Sequence, residues 1–192
     1  MKIITLNNSS FQDKCKILAK SIKGSFSPDI IISIKTGGKY VGDIVFQELS
    51  QDNIKYTWAE THRPGHKVKN NSLIQFFFQQ TPTFILNWLR IIESYILRLF
   101  PKQSTKEIFL CASKEIEQLL LEADKKILVV DDAIDSGTTM NLVCEYISNR
   151  FPGNTIKTAA ITTTTPNPLI NADFCIYHLV LIRFPWSKDY KK

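Results

Sequence analysis

The sequence predicts an α/β fold: a mostly parallel, doubly wound sheet flanked by helices. Three observations predict it. Ile30–Ile34 and Ile127–Val130 are short, almost wholly apolar runs rich in β-branched residues, as expected of strands buried on both faces. Each run leads into a polar loop containing glycine and then into a segment with helical apolar spacing. Strand-like and helix-like stretches alternate along the rest of the chain, the pattern of a parallel sheet whose ligands sit at the carboxyl ends of its strands.

In order, Asp13–Lys23 places apolar residues at Cys15, Ile17, Leu18, Ala19 and Ile22, a short helix broken by Gly24 and Pro28. The strand Ile30–Ile34 is followed by Lys35-Thr36-Gly37-Gly38-Lys39 and an amphipathic helix with Val41, Ile44, Val45 and Leu49 inward. A glycine pair between a strand end and a helix start is either an ordinary tight turn or a place where backbone approaches an anion. Ile54–Ala59 alternates as a strand, and residues 60–72 form a polar loop containing Arg63, Pro64, Gly65, His66 and Lys67. Residues 82–100 predict an extra helix that is apolar on most of its circumference, starting at Pro82, with Asn87, Arg90, Ser94 and Arg98 as a polar stripe. Such a helix needs burial on two sides. Core packing with a dimer contact, or a small covering lobe, suits it better than a membrane surface, because the stripe has no lysine. Ser113 is an N-cap for a helix through Leu121, Phe151–Asn154 is a turn, and Thr155–Thr162 and Asp173–Leu179 are strands.

At 192 residues the chain suits a single domain with a sizeable core. A net charge of +6 suits a polyanionic small ligand; no run of basic residues reaches five, which argues against a nucleic-acid partner. Cys15, Cys111, Cys144 and Cys175 lack metal-site spacing and fit reduced thiols in a cytoplasmic protein. The first ten residues carry no signal-peptide pattern, and the apolar stretch up to Phe100 is interrupted by Asn87, Arg90, Glu93 and Arg98, so no membrane span is expected.

The most informative stretch is Ile127-Leu128-Val129-Val130-Asp131-Asp132-Ala133-Ile134-Asp135-Ser136-Gly137-Thr138-Thr139-Met140. A strand running into a glycine-containing loop and a helix N-terminus is a phosphate cradle, built from backbone N–H groups and the positive end of the helix dipole. Ser136, Thr138 and Thr139 add hydroxyls, and Gly137 allows close approach. Asp131 and Asp132 beside an anion site make sense if the ligand also carries hydroxyls or a divalent cation, since carboxylates are acceptors only. A sugar phosphate with a vicinal diol meets both demands.

This stretch resembles the PRPP-binding signature of the type I phosphoribosyltransferases, which runs from a hydrophobic strand into two acidic residues and a D-[ST]-G-x-T loop. The resemblance implies the family's sheet with a small hood, and Mg²⁺-dependent transfer of phosphoribose from PRPP to a nucleobase. It implies that Asp131 and Asp132 hold the ribose hydroxyls, partly through Mg²⁺, and that Asp135, Ser136, Gly137, Thr138 and Thr139 wrap the 5′-phosphate, with Ala133 inside the same binding stretch. Lys35, Thr36, Gly37 and Gly38 resemble the family's pyrophosphate loop, which often contains a non-proline cis peptide. Thr36 stands where many relatives carry Arg or Lys, leaving pyrophosphate to backbone N–H groups and Lys35 or Lys39. The polar loop at 60–72 is similar in position to a mobile loop that closes over the active site; a solvated surface loop is the alternative.

Asp135 matches the residue that acts in hypoxanthine-type relatives as general base or hydrogen-bond partner to a ring nitrogen; a helix cap is its other reading. Leu181-Ile182-Arg183-Phe184-Pro185-Trp186 resembles the C-terminal strand of purine-salvage members, with Leu181 at the position that stacks on the base. Trp186 either stacks on a base or packs the core. Thr162-Thr163-Thr164-Thr165-Pro166 lacks the Lys that selects a 6-oxopurine in those relatives. The leading expectation is a nucleobase phosphoribosyltransferase with a purine acceptor; a homodimer is a family expectation. The alternatives are a PRPP-binding regulator with reduced catalysis and a transferase with a non-purine acceptor.

Overall fold

In a computed structural model describing residues 2–49, 53–62, 107–187 and 189–190, the two apolar runs lie side by side at the centre of a six-stranded sheet. The elements are β1 (Lys2–Thr5), α1 (Asn8–Lys23), β2 (Ile30–Ile34), α2 (Gly37–Leu49), β3 (Lys55–His62) and β4 (Glu107–Leu110). They continue with α3 (Lys114–Leu121), β5 (Lys126–Ile134), α4 (Thr138–Arg150), β6 (Thr155–Thr163), β7 (Phe174–His178) and β8 (Val180–Arg183). The sheet order is β4-β3-β2-β5-β6-β7, with β4 antiparallel at one edge and the other neighbours parallel. Most of the expected loop at 60–72, and all of the expected helix at 82–100, lie outside the described residues.

Alternation along each central strand divides the core into two layers. Ile31, Leu128 and Val130 pack with Phe11, Cys15, Leu18 and Ile22 of α1 and Val41 and Val45 of α2. Ile30, Ile32, Ile34, Ile127 and Val129 pack on the opposite side with Ile116 and Leu120 of α3 and Met140, Val143 and Ile147 of α4. Burial on both faces is why these strands read as continuous apolar runs, each large side chain contributing about 1.5–3 kcal/mol. The thiols of Cys15 and Cys144 lie in these layers, and burial pushes both up to about 12.

The strand expected at Ile127–Val130 continues through both carboxylates to Ile134. Beyond Val130 the backbone keeps pairing with β6, Asp131 opposite Ala160 and Ala133 opposite Thr162, a ladder indifferent to side-chain polarity. The acidic pair therefore stands on the strand instead of in the loop. Likewise β3 extends to His62, so Glu60 and Thr61 belong to a strand held by β4. Helix α1 begins before Asp13, because the Asn7 side chain accepts a hydrogen bond from the Ser10 N–H at 2.8 Å and caps it. Ser113 caps α3 as expected, accepting from the Ile116 N–H at 3.3 Å.

Strands β1 and β8 form a separate two-stranded parallel sheet, the hood, joining the two ends of the chain. Neither β1 nor β4 was expected; each is four residues long, too short for a period to declare itself. Behind β8 the buried Arg183 donates from Nε to Asp189 at 2.9 Å and from Nη1 to the Thr5 hydroxyl at 3.1 Å. No helix among the described residues is long and apolar enough to cross a membrane.

Candidate active site

The start of α2, just after β2, packs against the carboxyl-end half of the neighbouring strand β5. A Cβ added to Gly37 would fall into the Asp132 carboxyl group. One added to Gly38 would lie 2.8 Å from the Asp131 Cα and from the Val130 carbonyl oxygen. The glycine pair is thus required by contact with the acidic pair, before any ligand is considered. The peptide bond joining Lys35 to Thr36 is cis.

The acidic pair is held by backbone and by one indole. Asp131 Oδ1 accepts from the Asp132 N–H at 2.9 Å, and Asp132 Oδ1 from the Ala133 N–H at 3.1 Å. Trp186 Nε1 donates to Asp132 Oδ2 at 3.3 Å. Burial drives the Asp131 carboxyl well above the usual carboxylate range, and the adjacent Asp132 charge pushes it further. Burial also raises Asp132, opposed by hydrogen bonds from Asp131 and Trp186. Such a pair is poised to accept a cation or sugar hydroxyls. No cluster of three or more His, Cys, Asp or Glu among the described residues could hold a metal. A metal here would draw on the two Asp carboxylates and on ligand oxygens, a donor set that suits Mg²⁺.

Downstream, Asp135 is exposed and Gly137 starts α4 in the left-handed conformation, φ +76°. A Cβ on Gly137 would sit 2.9 Å from the Ile170 N atom, so glycine is also demanded by the crossing segment after β6. With glycine at its cap, α4 gets no side-chain hydrogen bond from the cap residue itself, and the Ser136 hydroxyl instead accepts from the Thr138 N–H at 3.4 Å. Ser136 and Thr138 hydroxyls lie 2.9 Å apart across the loop. Thr139 falls in the first turn of the same helix.

On the β2 side, Lys35 pairs with Glu60 at 2.6 Å, which raises the Lys35 pKa through that hydrogen bond first and the Glu60 charge second. Lys39 pairs with Asp43 at 3.0 Å and lies over the Trp58 ring, 5.4 Å from its centroid. Tyr56 donates to the same Asp43 at 2.6 Å. Glu60, Asp43 and Tyr56 were not expected at the site, since single polar residues in a strand or helix carry no pattern.

The C-terminal segment approaches from the other side. Trp186 stacks on Tyr40 (4.6 Å between centroids) and on Phe184 (4.9 Å), and meets Phe11 edge-on. Its ring is engaged by protein neighbours, so the packing reading describes it, with its N–H turned to Asp132. Leu181 is half-buried in β8 opposite Ile3. A cavity of about 350 Å³ lined by Phe11, Tyr40, Ile44, Pro185 and Trp186, with Asn8 and Gln12, adjoins this cluster; neither Asp131 nor Asp132 lines it.

Residues 5–190 match the phosphoribosyl transferase domain family. The chain belongs to the phosphoribosyltransferase family. No curated protein is significantly similar to this transferase in sequence. Among solved structures it is similar to a purine phosphoribosyltransferase from Pyrococcus horikoshii, with a TM-score of 0.63 at 17% identity, covering 97% of this chain and 95% of that one. It is also similar to a xanthine-guanine-hypoxanthine phosphoribosyltransferase from Helicobacter pylori (TM-score 0.60, 14% identity, 96% and 94% covered). A third is a protein from Neisseria gonorrhoeae with bound ppGpp (TM-score 0.61, 18% identity, 96% and 89% covered). At these identities the likeness concerns the fold.

Proposed function

We propose that this transferase moves phosphoribose from PRPP to a nucleobase, a purine, with Mg²⁺, releasing pyrophosphate. The observation that supports the reading is the direct contact of Gly37 and Gly38 with Asp132 and Asp131, upstream of the glycine-led start of α4. It joins a loop suited to pyrophosphate, a carboxylate pair suited to a ribose diol and an N-terminus suited to a 5′-phosphate.

In the reaction the bond from the anomeric carbon to pyrophosphate breaks, and a bond from that carbon to a ring nitrogen forms. Positive charge grows at the anomeric carbon, and the negative potential of Asp131 and Asp132 opposes its cost. Asp131 and Asp132 would help hold Mg²⁺, which when bound would offset charge on the leaving pyrophosphate. Asp135 accepts the proton that leaves the ring nitrogen, or hydrogen-bonds it. Lys35 and Lys39 reach pyrophosphate by exchanging Glu60 and Asp43 for phosphate oxygens, and Leu181 flanks the base. Trp186 acts through Asp132, orienting its carboxylate.

The test is pyrophosphate release from Mg²⁺–PRPP against a panel of nucleobases, beside a double variant Asp131→Asn/Asp132→Asn. Base-dependent release, lost in the variant, is expected. PRPP binding without release by any base would replace the reading with that of a PRPP-binding regulator, and absence of PRPP binding would overturn it.

A further inference from the structure

Lys35 and Lys39, the two cations where β2 joins α2, are each engaged by a carboxylate, and β3 supplies or steadies both partners. Tyr56, Trp58 and Glu60 alternate along β3 and so share one face, turned to α2, where Tyr56 stacks on Phe46 at 5.0 Å between centroids. Glu60 Oε1 accepts from Lys35 Nζ at 2.6 Å and from the Trp58 indole N–H at 3.3 Å. Lys39 Nζ donates to both Asp43 carboxylate oxygens at 3.0 Å, and the Tyr56 hydroxyl donates to Asp43 Oδ1 at 2.6 Å. Burial first, and the bond to Asp43 second, raise the Tyr56 phenol, so it remains a donor. The Lys39 ammonium also lies 5.4 Å from the Trp58 ring centroid and 5.9 Å from that of Tyr56. Trp58 therefore serves both pairs: its N–H holds the partner of Lys35, and its ring faces Lys39.

We propose that Glu60 and Asp43 set the affinity of the site for pyrophosphate-bearing ligands: they are counter-ions that compete with phosphate oxygens for Lys35 and Lys39, and they take the lysines back when pyrophosphate leaves. The inference rests on the PRPP-transferase reading and names how the pyrophosphate end of that site is tuned. Carboxylate and phosphate oxygens are both charged acceptors for the same ammonium N–H groups, so a lysine strengthens one bond by loosening the other. A counter-ion with a second donor, as Glu60 has in Trp58 and Asp43 in Tyr56, keeps its place when the lysine moves away. The return path is then short. Lysines without such partners would hold released pyrophosphate as firmly as they hold PRPP. Both pairs are partly exposed, so the competition is graded and does not block the site.

The test is calorimetric titration of the full chain with Mg²⁺–PRPP, Mg²⁺–pyrophosphate and ribose 5-phosphate. Glu60→Gln and Asp43→Asn keep an acceptor oxygen for Trp58 and Tyr56 and remove the charge. At low salt each is expected to bind PRPP and pyrophosphate about threefold more tightly than the parent, and the double variant about tenfold. Added salt is expected to shrink the gain. Ribose 5-phosphate, which lacks the pyrophosphate, is expected to bind parent and variants equally. In a Lys35→Met background Glu60→Gln is expected to lose most of its effect, because the two residues act as a pair. Variants that bind PRPP no more tightly than the parent overturn the inference and leave the transferase reading standing. So does an equal gain for ribose 5-phosphate, a gain that salt leaves unchanged, or an undiminished gain without the Lys35 ammonium. Absence of PRPP binding in the parent and every variant overturns both.

Discussion

At Asp131 and Asp132 two adjacent carboxyls share one half-buried corner, and both are harder to ionise than usual. A carboxyl raised in the folded state binds more protons folded than unfolded between its ordinary and its raised pKa. Stability therefore falls as pH rises through that window and stays reduced above it. Without ligand, the thermal midpoint is expected to drop as pH climbs from the ordinary carboxylate range towards neutrality. Asp131→Asn keeps an oxygen for the Asp132 N–H and removes one charge. It should flatten that slope and raise the ligand-free midpoint at neutral pH, and on the proposed function it should lose the stabilisation expected of Mg²⁺–PRPP in the parent. A thermal melt series across pH, with and without Mg²⁺–PRPP, reads both. An unchanged slope would show that the pair carries no such strain.

Among the elements, the join of β2 to α2 is where sequence and site are most tightly bound together. Gly38 sits against backbone atoms of β5, which cannot swing aside as a side-chain tip can. Gly38→Ala is therefore expected to cost about 1–3 kcal/mol by overpacking, lowering the midpoint by roughly 2–4 °C per kcal/mol, and to weaken PRPP binding at the same time. Gly24 is the control: its φ is −70° and a Cβ there would meet nothing closer than 3.6 Å, so Gly24→Ala should leave both quantities alone. Equal melting and binding of the two variants would contradict the observed contact.

Across the whole molecule, the hood closes the chain on itself. Thr5 near one end and Asp189 near the other meet on the Arg183 guanidinium, which is buried with Asp189. Breaking such a pair leaves a buried charge uncompensated, and Arg183→Met is expected to destabilise by about 3–5 kcal/mol in denaturant titration. Replacing both partners, Arg183→Met with Asp189→Leu, should recover most of that loss. A double variant no better than the single one would mean the guanidinium works through other contacts. Because Phe184 and Trp186 follow Arg183 directly, and Trp186 reaches Asp132, this anchor also steadies the acidic pair.

What the sequence determined by itself was local and patterned. The apolar runs at Ile30–Ile34 and Ile127–Val130 announced buried parallel strands, because burial on both faces leaves no polar alternation. The Asp131–Thr139 stretch pointed to the phosphoribosyltransferase family, because its signature lies in residues close together in the chain. Tertiary structure decided what no local pattern encodes. It brought Gly37 and Gly38 onto the carboxylates, Thr164 onto Asp135, Trp186 onto Asp132 and Lys35 onto Glu60, pairs separated by 25 residues or more in the hydrogen-bonded cases. It also decided that β5 runs on past its charges, since a strand continues as long as its neighbour supplies hydrogen bonds, whatever its side chains are.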